Sequence, residues 1–278
     1  MHMRSFRFAS GALPLGEKTC LMGILNLTPD SFFAGSRVDG GAVLDRALQM
    51  EAEGADILDV GAVSTRPGGD VADEETELAR LRDALPRLVR SVRRPVSVDT
   101  FRPAVAAFAL ESGAAIINDV SGEFQPKLAA LVRRYGAGYI VMHAGEPGSK
   151  TVDVLSYPGG VVNHVQGFFD EMRDMLTAAG LSPEQLCFDP GFGFAKTAAQ
   201  NIELLKNLSL LQTGGSALLC ALSRKRFVGA LTGADDPADR LPGTLAADLF
   251  AVLHGADLLR VHDVKAHRDL LKAIDALK

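Results

Sequence analysis

The stretch Leu186-Cys187-Phe188-Asp189-Pro190-Gly191-Phe192-Gly193-Phe194-Ala195-Lys196 decides the fold. Its first three residues are apolar without alternation, the pattern of a strand buried on both faces. It then passes at once to an acidic residue, a proline and glycines, which stop a strand and build a loop. Working outward, the same arrangement recurs. Apolar runs of strand length stand at Cys20–Leu25, Ala55–Val60, Val96–Val98, Ala115–Ile117, Gly138–Met142, Leu186–Phe188, Ala217–Leu222 and Asp257–Val261. Between them lie segments with a helical period. Val43, Ala47 and Met50 form one stripe, and Leu78, Leu81, Leu85 and Leu88 a second. Leu245, Leu249, Val252 and Leu253 form a third, before Gly255, and Leu270, Leu271, Ile274 and Leu277 a fourth. Pro86 falls inside the second stripe and should kink that helix. Eight strands alternating with eight helical segments predict an α/β fold, a closed parallel (β/α)8 TIM barrel; a doubly wound open sheet is the alternative.

Composition agrees with one such unit. The chain has 278 residues, and an α/β barrel takes about 250. No linker or composition break divides it, so residues 1–278 are expected to form a single domain. The longest apolar runs are strand-sized, short of the roughly 20 residues of a membrane helix. Met1 to Leu15 lacks the apolar core of a secretory signal. The net charge of −5 and the absence of a long basic tract disfavour nucleic acid as a partner. Cys20, Cys187 and Cys220 are odd in number and at least 33 residues apart. They read as buried reduced thiols, which predicts a cytoplasmic location.

The polar residues carry the functional signal. In a parallel barrel the C-terminal strand ends meet on one face, where barrel enzymes keep their active sites. That mouth should hold Asn26, Asp59, Asp99, Asn118, Asp189, Lys225, Arg260 and His262. Asp99, Asp189 and Asn118 suit a flat heterocycle with an amidine-like edge, because a carboxylate can accept two parallel N–H bonds. Each could equally be a strand-end cap or turn residue taken alone. Arg260 and His262, two apart on a strand, share a face and with Arg66 could hold a phosphate or diphosphate. A rim ion pair of Arg260 with Asp263 is the alternative. The long stretches Thr28 to Gly40 and Ala62 to Asp73, rich in Gly, Pro, Ser and Asp, suggest binding loops.

These residues also compose a pattern. Met22 to Phe32 (MGILNLTPDSF), Asp59-Val60-Gly61 with Ser64 to Gly68 (STRPG), Ser97 to Thr100, Ile117 to Gly122, Asp189 to Phe194 with Lys196, Ser223-Arg224-Lys225 and Arg260 to Val264 follow one another in order. In this the chain resembles the dihydropteroate synthases, from about residue 20 to residue 264. The resemblance implies a transferase of folate biosynthesis that joins a pterin diphosphate to p-aminobenzoate. By the same resemblance Asp99, Asn118, Asp189 and Lys225 form the pterin pocket, with Arg66, Arg260 and His262 at the diphosphate. Asn26 binds Mg²⁺ together with that diphosphate. Thr65, Pro67 and Ser223 contact p-aminobenzoate, with Phe194 nearby. Asp99, Asp189, Lys225 and Arg260 are the implied catalytic set, and the family implies a homodimer. A pterin-binding methyltransferase barrel and a non-catalytic pterin-binding paralogue are the alternatives. The chain departs from the family pattern at Ala62-Val63, where Gly-Glu is usual, and at Ala195, where glycine is usual. It departs again at Ala144-Gly145-Glu146, after His143, and at Phe33-Ala34 in the first loop.

Overall fold

Strands buried on both faces must find neighbours on both edges as well, and here they do so by closing on themselves. In this computed structural model residues 4–27, 40–63, 72–144, 156–211 and 213–277 are described. Two short strands come first, β1 (Ser5–Phe8) and β2 (Gly11–Pro14), paired antiparallel. There follow β3 (Cys20–Asn26), α1 (Gly40–Glu53), β4 (Ile57–Gly61), α2 (Glu74–Ser91), β5 (Val96–Asp99), α3 (Pro103–Glu111), β6 (Ile116–Asp119) and α4 (Pro126–Tyr135). The second half contains β7 (Gly138–Met142), α5 (Val161–Ala178), β8 (Leu186–Asp189), α6 (Ala198–Lys206), β9 (Ala217–Cys220), α7 (Arg226–Thr232), α8 (Leu241–Leu253), β10 (Leu258–Val261) and α9 (Val264–Leu277). Strands β3 to β10 form a closed parallel barrel in sequence order, β10 pairing back onto β3. The expected barrel is therefore the observed one, and the open sheet is excluded.

Residues alternate in and out along each strand. Met22, Ile57, Ile116, Ile140, Cys187, Leu219 and Leu258 fill the barrel interior as one buried cluster. Their neighbours Leu21, Leu58, Ile117, Tyr139, Val141, Phe188 and Leu259 belong to a second cluster, under the helices. Both faces are apolar, which is why the sequence shows unbroken runs. All three cysteines are buried and free, as expected.

Three features depart from the reading of the sequence. The β1–β2 hairpin was not anticipated in Met1 to Leu15. It places Phe6, fully buried, against the lower end of the barrel, where a side chain on Gly138 would come within 2.9 Å of the Phe6 ring. Second, α2 continues through Pro86 as one helix. A proline there takes its own N–H out of the ladder and crowds the carbonyl four residues back, and the buried stripe Leu81, Leu85 and Leu88 holds the helix together through it. Third, two helices rather than one join β9 to β10, and the second buries the stripe expected of it only in part: Leu249 and Val252 pack against the core. The inner face of α8 is Thr244, Ala247, Asp248 and Ala251, while Leu253 is 62 % exposed. Small residues let α8 approach closely, and Asp248 is tolerated inside because His267 Nε2 lies 2.8 Å from its carboxylate.

Candidate active site

Register sets the site. Across neighbouring strands Asn26 is level with Gly61, Gly61 with Asp99, and Asp99 with Asn118. These residues form one layer at the upper rim. Each is the last or next-to-last residue of its strand, where the interior changes from hydrocarbon to a polar mouth. Asp189 lies level with Met142 on the far side. Asp119, next to Asn118, points the other way and accepts the Tyr139 hydroxyl at 2.6 Å beneath the helices.

One cluster is built around a guanidinium. Arg260 donates from Nε to Asp59 at 2.6 Å and from Nη2 to Asp99 at 3.0 Å. Asn118 donates its amide to the same Asp59 oxygen at 3.2 Å. Among the described residues no donor reaches Asp59 Oδ1 or Asp99 Oδ1, both buried. Burial pushes the Asp99 carboxyl up to about 7, against the pull of Arg260 and with added repulsion from Asp59. Such carboxylates, short of partners at an opening, are prepared to accept N–H groups from a ligand.

The opposite wall is built by β8 and β9. Asp189 turns its loop by accepting the Gly191 N–H at 2.8 Å. Gly191 lies at φ 68°, and a Cβ there would sit 1.8 Å from the His143 carbonyl, so only glycine fits. Burial raises the Asp189 pKa, opposed chiefly by Lys225. Lys225, lowered to about 8 by burial although Asp189 holds its charge, donates to the Phe192 carbonyl. Its ammonium lies 4.9 Å from the centre of the Phe194 ring. A little further round, Ser223 Oγ and His262 Nδ1 are 2.9 Å apart.

Of the residues singled out in the sequence, Asn26, Asp99, Asn118, Asp189, Lys225, Arg260, His262, Ser223 and Phe194 thus lie on the rim or the loops just above it. Thr65, Arg66 and Pro67 lie outside the described residues, as does most of both long loops. Arg260 faces Asp59 and Asp99, while His262 lies against Ser223. Arg260 does not pair with Asp263, which takes a two-pronged contact from Arg224 at 2.8 Å on each arm.

Two residues matter more than the sequence suggested. The sequence puts Asp59 at the mouth without pointing to a task for it. Lys196, noted only as part of a motif, is buried and donates to the carbonyls of Gly191 at 3.0 Å and Phe194 at 3.2 Å, with His143 Nδ1 at 2.9 Å. It fastens the loop that carries Phe194. Burial lowers Lys196 to about 7 and His143 to about 2. The next residue back, Ala195, is held at φ 48°, where its Cβ is strained and glycine would be at ease.

A metal would find oxygen donors but no ready cage. Among the described residues no three His, Cys, Asp or Glu side chains group to hold an ion. Asn26 does offer its carboxamide oxygen beside Gly61, where a Cβ would fill the space 3.5 Å from Asn26 Oδ1. One protein oxygen with open space suits Mg²⁺, which usually completes its shell with waters and substrate phosphates.

Carboxylates and a carboxamide converging at the top of a parallel barrel, with two cations among them, define a barrel enzyme for a small, flat ligand rich in N–H donors. The sequence agrees: residues 22–262 match the model of the pterin binding enzymes, and the chain belongs to that family. Among curated relatives, the dihydropteroate synthase of Synechocystis is 40% identical over 265 residues, 94% of this chain and 91% of its own length. That of Neisseria meningitidis serogroup C is 40% identical, with 96% of each chain covered. Among solved structures, Xanthomonas albilineans dihydropteroate synthase with 4-aminobenzoic acid superposes with a TM-score of 0.90 at 40% identity, covering 98% of both chains. The same enzyme in complex with 7,8-dihydropteroate gives 0.87 at 38% identity.

Proposed function

We propose that this chain is a dihydropteroate synthase, a transferase of folate synthesis that condenses 6-hydroxymethyl-7,8-dihydropterin diphosphate with p-aminobenzoate to give 7,8-dihydropteroate and diphosphate. The observation that carries this reading is the placement of Asp99, Asn118 and Asp189, all buried, around one mouth, with Asp99 Oδ1 short of a donor. A pterin presents an amino group and ring N–H side by side, the edge such carboxylates accept.

In the reaction the arylamine nitrogen bonds to the exocyclic methylene carbon, the C–O bond to diphosphate breaks, and the diphosphate leaves with the electron pair. The amine then loses a proton to water. Breaking C–O first builds positive charge on the pterin, which Asp99 and Asp189 stabilise, so no strong general base is needed. Lys225 takes the pterin carbonyl. Arg260, His262 and Arg66 offset the charge of the departing anion. Ser223 and Phe194, with Thr65 and Pro67, hold p-aminobenzoate close to the carbon it attacks. Asn26 would be the protein ligand for Mg²⁺. That ion, bound with the substrate diphosphate, would neutralise charge on the leaving group.

The assembly and setting follow the same reading. Residues 1–278 act as one domain. No helix among the described residues is long and apolar enough to cross a membrane, and three buried reduced thiols suit the cytoplasm. The protein works as a homodimer on small-molecule substrates, without nucleic acid. Incubating it with the pterin diphosphate, p-aminobenzoate and Mg²⁺ should yield dihydropteroate, detected by chromatography, and an excess of chelator should abolish it. Pterin binding without product would mark a non-catalytic pterin-binding protein instead.

A further inference from the structure

Arg260 stands among negative charges. A guanidinium recruited for an anion is normally left free to reach it, yet this one is clasped by two carboxylates, Asp59 at 2.6 Å and Asp99 at 3.0 Å. With both carboxylates ionised, the arginine and its two partners together carry a net charge of −1. The two partners differ in kind. Each keeps one buried oxygen without a donor among the described residues, but Asp99 stands level with Asn118 in the upper layer, where a ligand edge would lie. Asp59 is one register layer lower, level with Ser97, and completely buried. When a donor-rich ring takes up Asp99, Asp59 is the counter-ion that remains to Arg260. It grips Nε, so the nitrogen that a ligand on Asp99 would release is Nη2. The same Asp59 oxygen accepts the Asn118 amide at 3.2 Å, so one carboxylate sets the position of two mouth residues on opposite sides of it.

We propose that Asp59 is a positioning residue that holds the Arg260 guanidinium by Nε and restrains its attraction for diphosphate, so that the product anion leaves readily. The logic is that of differential binding. Arg260 must help the charge that builds on the leaving oxygen as C–O breaks, but an equally strong grip on the finished product would slow turnover. A buried anion behind the arginine weakens the grip on any second anion by Coulomb repulsion, without removing the directed N–H groups in front. Unlike Asp99, Asp59 needs no contact with substrate to do this. The inference rests on reading this mouth as a pterin and diphosphate site.

The test is Asp59→Asn, which keeps an oxygen to accept from Arg260 and Asn118 but removes the charge. Calorimetry would be run on the full chain with two probes, inorganic diphosphate in the presence of Mg²⁺, and 6-hydroxymethylpterin. Diphosphate should bind about tenfold more tightly to the variant, the size expected when one like charge is removed several ångströms away in a partly buried site. Pterin affinity should stay within about twofold, because the variant keeps the Asn118 acceptor. A purely structural Asp59 would give weaker binding of both probes, and that result, or unchanged diphosphate affinity, overturns the proposal. If the wild-type chain binds neither probe, the underlying reading fails together with it. If the wild type binds both and only the diphosphate gain is missing, this inference alone fails. Should the variant not fold, the wild-type protein answers by NMR: a buried clasp predicts an Arg260 Nε–H that exchanges slowly with water and persists when diphosphate is added. Exchange as fast as that of surface arginines would overturn the proposal equally.

Discussion

Asp189 carries two loads, and they can be separated. Its Oδ1 accepts the Gly191 N–H and shapes the loop, while its charge faces Lys225 and the mouth. Asp189→Asn keeps an acceptor for the loop but gives up the charge-assisted contact to a pterin. Pterin binding should weaken by roughly 2–4 kcal/mol with the thermal transition nearly unmoved; unchanged affinity by calorimetry would remove Asp189 from the pocket. Asp99 makes a pH prediction. Its carboxyl is raised to about 7 by burial, so it is protonated below that value and ionised above it. Only the ionised form accepts two N–H bonds, so pterin affinity should fall as pH drops from about 8 to about 6. In Asp99→Asn that descending limb should vanish. A limb that survives in the variant would assign the titration to another group.

At the scale of elements, the clearest coupling outside the mouth joins α2 to the loop after β5. Glu77 is buried on α2, and Arg102 Nη1 reaches its carboxylate at 2.5 Å. Arg102 Nη2 also donates at 2.6 Å to the carbonyl of Ala72, where the second long loop returns to the barrel. Removing the arginine by Arg102→Met leaves only the Thr100 hydroxyl to a carboxylate whose pKa burial already raises. Loss of one partner from a fully buried pair costs about 3–5 kcal/mol, and since Arg102 keeps some contact with water, about 2–3 is expected by urea denaturation. A change within experimental error would mean that Glu77 is held by other groups. Elements were also where the sequence was most legible. Runs buried on both faces are unbroken, so all eight barrel strands could be read. Their ends were read short, at Leu25, Val98, Ile117 and Phe188, because the next inward residue is polar. Backbone pairing is indifferent to that change and carries on through Asn26, Asp99, Asn118 and Asp189. The candidate site was legible as a set of strand ends. Its wiring was not: Arg260 meets Asp59 and Asp99 across 201 and 161 residues of chain, and no local pattern shows such a pairing. The β1–β2 hairpin was missed for the opposite reason, since strands of four residues are too short for periodicity to show.

For the whole molecule, the outer flank of the barrel beside α7 and α8 carries exposed apolar side chains. Leu231 on α7 is 51 % exposed and Leu253 on α8 is 62 % exposed, with Phe250 also in solvent one turn earlier. The periodic leucines of α8 that the sequence marks as a core stripe thus face partly outward, while alanines face the barrel. A helix apolar on both sides offers faces to two partners. One is the barrel; a second copy of the chain is the partner proposed for the other. In a twofold dimer the same patch meets itself, so one substitution acts twice. Leu253→Glu would place two carboxylates in the shared seam and remove two buried leucines, each worth roughly 2 kcal/mol. The wild-type chain should therefore sediment at twice the monomer mass and the variant as a monomer. Pterin affinity should change little. Leu253 ends the helix that leads down into β10, so it lies at the end of the barrel remote from the mouth. A wild-type protein that sediments as a monomer at micromolar concentration, or a variant that remains a dimer, would show that this flank does not hold two copies together.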